Sequence, residues 1–171
     1  NGIEKIKVQT DGSTSFSTGI GLGNGVTYSA ANELSDYEEG TAVMQIGATG
    51  GSAPTTQCDS NNCVYTKIGN QVTVRVTWDA KNLAGIGGYI QLQGLPFTVS
   101  NTGGHFVLPV EMTNYVAWSG NEKHVFYTTA NTTNANGLSS RDNLSWVNWA
   151  SSDWDNSTSI SLYMSFTYLT T

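Results

Sequence analysis

The sequence contains few charged residues, prolines and cysteines and no long apolar runs. The shortage of charge and of long apolar runs excludes two classes of binding partner, nucleic acid and membrane. Of its 171 residues only 12% are charged, and seven scattered Lys and Arg residues leave a formal net charge of −6. Nucleic-acid binding depends on clustered basic side chains, so we expect no nucleic-acid partner. No apolar run reaches the length of a membrane-spanning helix, so we expect no membrane insertion. The chain is long enough for one domain with its own core.

The two cysteines, Cys58 and Cys63, have four residues between them. This spacing, together with the turn-forming residues inside it, allows either a small disulfide loop or two free thiols. A metal site would need more ligands, and both His105 and His124 are distant in sequence. The sequence therefore predicts no metal and no cofactor.

What the sequence does contain is strict alternation of apolar and polar residues. Val72, Val74, Val76 and Trp78 alternate with hydroxyl and basic residues, and residues 160–168 repeat the pattern over a longer stretch. A period of two is typical of half-buried strands. Between "VYTKI" and "QVTVRV", the pair Gly69-Asn70 predicts a tight hairpin turn.

The other β-prone segments are short and are separated by polar turns. Predicted strands lie at residues 42–46, 89–93, 105–110, 115–119, 125–129 and 146–150. No segment of helical length has the apolar spacing of an amphipathic helix. The pattern therefore predicts an all-β fold, an antiparallel β-sandwich of jelly-roll type.

The first forty residues have a different composition. They are rich in Gly and Ser and contain few large apolar residues, so they cannot build a core of their own. Residues 1–40 are predicted to be a stem or linker, either flexible or ordered by packing against other copies of the chain. Residues 41–171 are predicted to be the β-sandwich domain. The start at Asn1 without Met is compatible with a piece of a longer polypeptide.

Three motifs occur in order: "DYEEGT" at 36–41, "YTKIGN" at 65–70 and "GLPF" at 94–97. Together they resemble the C-terminal region of bacteriophage tail-fibre and tailspike proteins, particularly those of marine and cyanobacterial phages. The resemblance covers roughly residues 34–97, and it departs from the group's pattern after Thr41, where "TAVM" replaces an aromatic residue and a proline. It implies a trimeric β-domain at the distal end of a virion appendage that binds host-surface structures, often polysaccharide.

The segment "ELSDYEEGT" contains four carboxylates: Glu33, Asp36, Glu38 and Glu39. Paired carboxylates perform glycoside hydrolysis, but charged side chains also deter edge-to-edge pairing of strands. The resemblance gives this segment no catalytic role. We therefore expect no catalytic residues here, and we expect Tyr37 to anchor the segment against the domain.

The Trp-rich stretch "RDNLSWVNWASSDWDNST", residues 141–158, is the predicted glycan-binding region. Aromatic faces stack on the C–H groups of sugars, and a few polar groups fix the ligand's orientation. Trp146 and Trp149 are three apart, so in a strand they point to opposite faces and one of them belongs to the core. Trp154, in a polar turn, is the leading candidate. The candidate ligand-binding residues are Trp154, Asp153, Asp155, Asn156, Trp149, Trp146, Trp118 and Tyr115.

The resemblance implies the distal domain of a tail fibre or tailspike, which attaches the virion to a host surface receptor as a homotrimer and has no enzymatic activity, and the Trp-rich stretch is its predicted glycan site. Its partners would be a host cell-surface glycan, further copies of itself and the rest of the fibre. Three alternatives stay open. The domain could serve only trimerisation or capping, it could be a polysaccharide depolymerase using Asp142, Asp153 and Asp155, or it could be a bacterial lectin.

Overall fold

The computed structural model describes residues 36–50, 62–80, 87–113, 123–140, 145–153 and 160–171, together with residue 10 and four short strands within the first 34 residues. The regular elements in these ranges are strands, apart from one 3₁₀ turn at Ser151–Asp153. Nothing in the described ranges forms a helix long and apolar enough to cross a lipid bilayer.

A six-stranded antiparallel sheet forms one layer. In spatial order its strands are β10 (Val107–Pro109), β12 (Lys123–Thr128), β13 (Asn134–Ser140), β9 (Ile90–Gln93) and β6 (Gln45–Ala48), and β14 (Val147–Asn148) pairs with the second half of β13. Along β9, β12 and β13 the side chains alternate between more and less buried, because successive residues of a strand point to opposite faces.

A five-stranded antiparallel sheet forms the other layer. In spatial order its strands are β11 (Glu111–Thr113), β15 (Ile160–Leu169), β8 (Gln71–Ala80), β7 (Asn62–Ile68) and β5 (Tyr37–Ala42). β7 and β8 form the predicted hairpin through Gly69-Asn70, and Gly69 has a φ of 58°, which glycine adopts without strain. The prediction of this hairpin is confirmed.

Two small hairpin sheets precede the sandwich. β1 (Ile6–Val8) pairs with β2 (Thr14–Phe16), and β3 (Ile20–Gly21) pairs with β4 (Glu33–Leu34). The first sandwich strand, β5, begins at Tyr37, ahead of the boundary expected at residue 41. Glu38 and Glu39 of the acid-rich segment are therefore part of the five-stranded sheet, Asp36 directly precedes it, and Glu33 lies in β4.

The inner faces of the two sheets form one hydrophobic core. The six-stranded sheet contributes Ile46, Ile90, Leu92, Leu108 and Phe126, and the five-stranded sheet contributes Val72, Val74, Val76, Leu162, Met164, Phe166 and Tyr168. The valines of β8 and the apolar residues of β15 are those that the alternation placed inside. The predicted antiparallel β-sandwich is confirmed.

Several predicted strands differ in extent from those observed. Residues 42–46, predicted as one strand, divide between β5 and β6, so the chain crosses from one sheet to the other around Met44. Residues 105–110 contain only β10, and residues 146–150 contain only the short β14. β11 and β13 were not predicted. The strand predicted at 115–119 and the side chain of Trp78 lie outside the described part of the chain.

Candidate functional site

Most of the predicted glycan-binding residues cannot be placed. Trp154, Asp155, Asn156, Trp118 and Tyr115 lie outside the described residues, and Asp153 closes the 3₁₀ turn with its side chain undescribed. Their roles stay predictions.

Trp149 is a core residue and not part of a binding surface. Its side chain is fully buried, and its ring packs against those of His124 and Phe126, with centroid distances of 4.3 and 5.9 Å. A Cβ at Gly137 would lie 3.0 Å from the indole, so the strand passes closely beneath the ring. The prediction that one of the two tryptophans belongs to the core is confirmed, and Trp149 leaves the list of ligand-binding candidates.

Trp146 is the exposed partner of that pair, with 52% of its surface accessible. It borders an open groove of about 410 Å³ that lies outside the core. The other residues that line this groove are His105, Val107, Val125, Tyr127 and Leu138. We call these six residues the aromatic groove.

Strand register explains why residues distant in sequence meet in the aromatic groove. Val107 is opposite Tyr127, and Val125 is opposite Leu138. The neighbours of Val125 and Tyr127 along β12, His124 and Phe126, are buried, so the groove residues point away from the core. The groove therefore occupies the outer face of the six-stranded sheet.

His105 is held in one orientation at the groove. Its Nδ1 lies 2.7 Å from the carbonyl oxygen of Thr128, and its ring meets Tyr127 edge-on at 5.1 Å between centroids. A carbonyl can only accept, so Nδ1 donates this hydrogen bond. Sequence spacing gave no reason to select His105.

A chain of side-chain amides continues from the aromatic groove across the same face. Gln45 donates to Gln93 (3.3 Å), Gln93 donates to Gln91 (2.9 Å) and Gln91 donates to Asn136 (2.9 Å). Asn136 donates in turn to the hydroxyl of Tyr127 at 3.3 Å. We call Gln45, Gln93, Gln91 and Asn136 the amide ladder. Because Tyr127 belongs to the groove, ladder and groove form one continuous surface.

The amide ladder keeps hydrogen-bonding capacity for a ligand. A primary amide has two N–H donors and an oxygen with two lone pairs. Each glutamine donates one N–H along the ladder, which leaves a second N–H on Gln45, Gln91 and Gln93. The Tyr127 hydroxyl accepts from Asn136, so its own proton can be donated. The pattern "IQLQ", with both glutamines on the outward face of β9, was the sequence signal that could have found this feature.

The acid segment, by contrast, is fixed to its neighbouring strand at the edge of the five-stranded sheet. Asp36 forms an ion pair with the nearly buried Lys67 of β7 and accepts a backbone hydrogen bond from Gly69 at 2.8 Å. The hydroxyl of Tyr65 donates to Glu38 at 2.7 Å. These contacts give the carboxylates a structural role.

Tyr37 does not anchor this segment, contrary to expectation. It is exposed and its hydroxyl donates to Glu39 on the same strand. A phenol must keep its proton in order to donate, so the hydrogen bonds to Glu39 and Glu38 raise the pKa of Tyr37 and of Tyr65, respectively. The anchoring contacts are those of Lys67 and Tyr65.

Cys63 is a free, buried thiol, and Cys58 lies outside the described residues. The Cys63 Sγ lies 3.3 Å from the Sδ of Met44, on the inner face of the core. Burial raises the pKa of the Cys63 thiol to about 11. Among the described residues, no group of three His, Cys, Asp or Glu side chains is arranged to hold a metal ion.

Comparison with known protein families, with curated proteins and with solved structures finds no match for this chain.

Proposed function

We propose that this protein is the receptor-binding distal domain of a phage tail fibre or tailspike, and that it attaches the virion to a host polysaccharide. The observation that carries the binding proposal is the continuity of the aromatic groove with the half-buried amide ladder on the outer face of the six-stranded sheet. The virion assignment comes from the motif resemblance at residues 36–97.

The chemistry of this face fits carbohydrate. Trp146 and Tyr127 supply aromatic surface on which the apolar face of a sugar can stack, and Gln91 and Gln93 supply amides for the hydroxyls of neighbouring sugars in the same polysaccharide. Because the groove is open, a single copy of the chain would bind the glycan weakly. Three tethered copies would raise the effective affinity on the order of 10²–10⁴-fold where the geometry permits.

We propose binding rather than catalysis at this face. The carboxylates whose side chains are described are Asp36, Glu38 and Glu39, and they belong to the other sheet. Hydrolysis of a glycosidic bond needs two carboxyl groups on either side of the bond. The described lining of the aromatic groove contains neither.

A second candidate function is trimerisation without receptor binding. Val107, with 62% of its surface exposed, and Trp146 together form an apolar patch, and such patches also mark protein interfaces. In that case the patch would be covered by another copy of the chain.

The test compares Trp146→Ala with Tyr163→Ala, an exposed aromatic on the outer face of the five-stranded sheet. Each protein is applied to a glycan array containing neutral and acidic glycans, and its mass is measured by analytical ultracentrifugation. We expect Trp146→Ala to bind about tenfold more weakly at unchanged mass, and Tyr163→Ala to bind like the wild type.

Other outcomes separate the alternatives. A smaller mass for Trp146→Ala would identify an interface between copies. Trp154→Ala is tested as a third variant, and binding lost only in that variant would move the site to the predicted turn. A wild-type protein that binds no glycan on the array would overturn the proposed function.

A further inference from the structure

We propose that the ligand of this face is an uncharged oligosaccharide chain that lies across the strands, from the aromatic groove along the amide ladder. This inference rests on the proposed function and adds the ligand's charge, length and direction. A site for one terminal sugar would need only the groove around Trp146.

The strand register sets the direction. Val107, Tyr127, Asn136, Gln91 and Gly47 are successive cross-strand partners on β10, β12, β13, β9 and β6. They form a row at right angles to the strands, with apolar and aromatic side chains at one end and amides at the other.

The row is long enough for several sugar residues. Five strands have four gaps of about 4.8 Å, so the row spans roughly 19 Å. The repeat along a chain of pyranose rings is close to the spacing of strands, so successive rings can meet successive strands. The ring over Trp146 would stack, and the following rings would hydrogen-bond to the ladder.

The described lining favours an uncharged chain. The six groove residues and the four ladder residues include no Lys, Arg, Asp or Glu. Lys123 lies one outward position beyond Val125 on β12 and is not among the residues lining the groove. A row of neutral amides matches hydroxyl groups, which both donate and accept.

The ladder can be interrupted without touching the groove. A Cβ at Gly47 would lie 2.6 Å from the Oε1 of Gln93, so Gly47→Ala forces the Gln93 amide to move. Gln91→Ala removes the central amide. Gln71, an exposed glutamine at the start of β8 on the other sheet, provides the matched control Gln71→Ala.

The experiment measures the affinity of the intact chain for linear gluco-, manno- and galacto-oligosaccharides, from monosaccharide to hexasaccharide, with polygalacturonate as the acidic counterpart. We expect wild-type affinity for the series that binds to rise roughly 2- to 10-fold per added residue and to level off near the tetrasaccharide. For Gln91→Ala and Gly47→Ala, the affinity should stop rising at a shorter chain length than for the wild type, and the loss relative to the wild type should grow with the length of the oligosaccharide. Gln71→Ala should match the wild type.

The results distinguish this inference from the proposed function. Equal affinity for monosaccharide and hexasaccharide, an equal loss at every length in Gln91→Ala, or tighter binding of polygalacturonate would overturn the inference while glycan binding stands. If the wild type binds neither these series nor any glycan on the array, both the inference and the proposed function are overturned.

Discussion

The ion pair between Lys67 and Asp36 allows a quantitative test of how the acid segment is attached to the sandwich. The side chain of Lys67 is 11% exposed and that of Asp36 is 55% exposed, and the Lys67 ammonium lies 5.6 Å from the ring centroid of Phe97. Removing Asp36 and removing Lys67 therefore have different consequences. Asp36→Asn leaves a nearly buried ammonium without its counter-charge, whereas Lys67→Met leaves a carboxylate that water can solvate.

The expected magnitude follows from this asymmetry. Losing one partner of a fully buried pair costs about 3–5 kcal/mol, and an exposed pair contributes about 0–1 kcal/mol. With Lys67 buried and Asp36 half exposed, we expect Asp36→Asn to lower the free energy of unfolding by about 2 kcal/mol. Lys67→Met keeps an apolar stem of similar size against Phe97, so we expect a loss of about 0.5 kcal/mol or less.

The assay is urea unfolding of the wild type, both single variants and the double variant, followed by tryptophan fluorescence. For a slope near 2 kcal/mol/M, the Asp36→Asn midpoint would fall by about 1 M. The double variant should resemble Lys67→Met, because the unpaired charge is gone. Equal losses in the two single variants, or strict additivity in the double, would refute the argument that the lysine is the desolvated partner.

Three further predictions concern the core. Gly94→Ala should destabilise the protein by more than about 3 kcal/mol in the same assay, since Gly94 has a φ of 84° and a Cβ there would collide with the carbonyl oxygen of Val43. Tyr168→Phe should cost about 2 kcal/mol, because the lost hydroxyl both accepts from the Phe97 N–H (3.0 Å) and donates to the Phe97 carbonyl (3.1 Å). The pKa of Cys63 is raised in the folded state from 9.0 to about 11, so its contribution to stability, roughly 3 kcal/mol, should be present below pH 9 and be lost as the pH rises through 11. Cys63→Ala should remove that part of the alkaline loss.

The sequence predicted the central strands because their two faces differ. Val72, Val74 and Val76 face the core while Thr73 and Arg75 face outward, so the pattern on β8 is the pattern of burial. The hairpin at Gly69-Asn70 was predicted because local turn chemistry is sufficient to specify it.

β13 was not predicted from the sequence, and the reason is the small size of its inward side chains. Its inward residues are Ala135, Gly137 and Ser139, which are small because Trp149 packs against this strand. A strand whose inner face consists of small residues has no hydrophobic alternation to detect. The crossing of the chain from β5 in one sheet to β6 in the other was not predicted either, because alternation of apolar and polar residues does not indicate which sheet a strand joins.

The candidate site was predicted only in part. Trp146 was selected from its neighbours in sequence, but His105 and Gln91 reach the same face through pairing of distant strands. A cross-strand row becomes visible only once the register is known. Tyr37 was expected to anchor the acid segment for the same reason: without the strand register, the sequence does not show that side chains of the partner strand β7 anchor it.

The position of the acid segment bears on how copies of the chain could meet. β5 is an edge strand, and an unprotected edge can pair with another strand. Glu38 and Glu39 place two carboxylates along the first half of this edge, in a chain of net charge −6, while the charge of Asp36 is balanced by Lys67. Two such edges brought together would set like charges opposite one another, which is destabilising. A trimer of this protein would therefore form through faces, other edges or the N-terminal hairpins rather than by joining β5 strands, and a glycan-binding role requires that the face with Trp146 stay outside that contact.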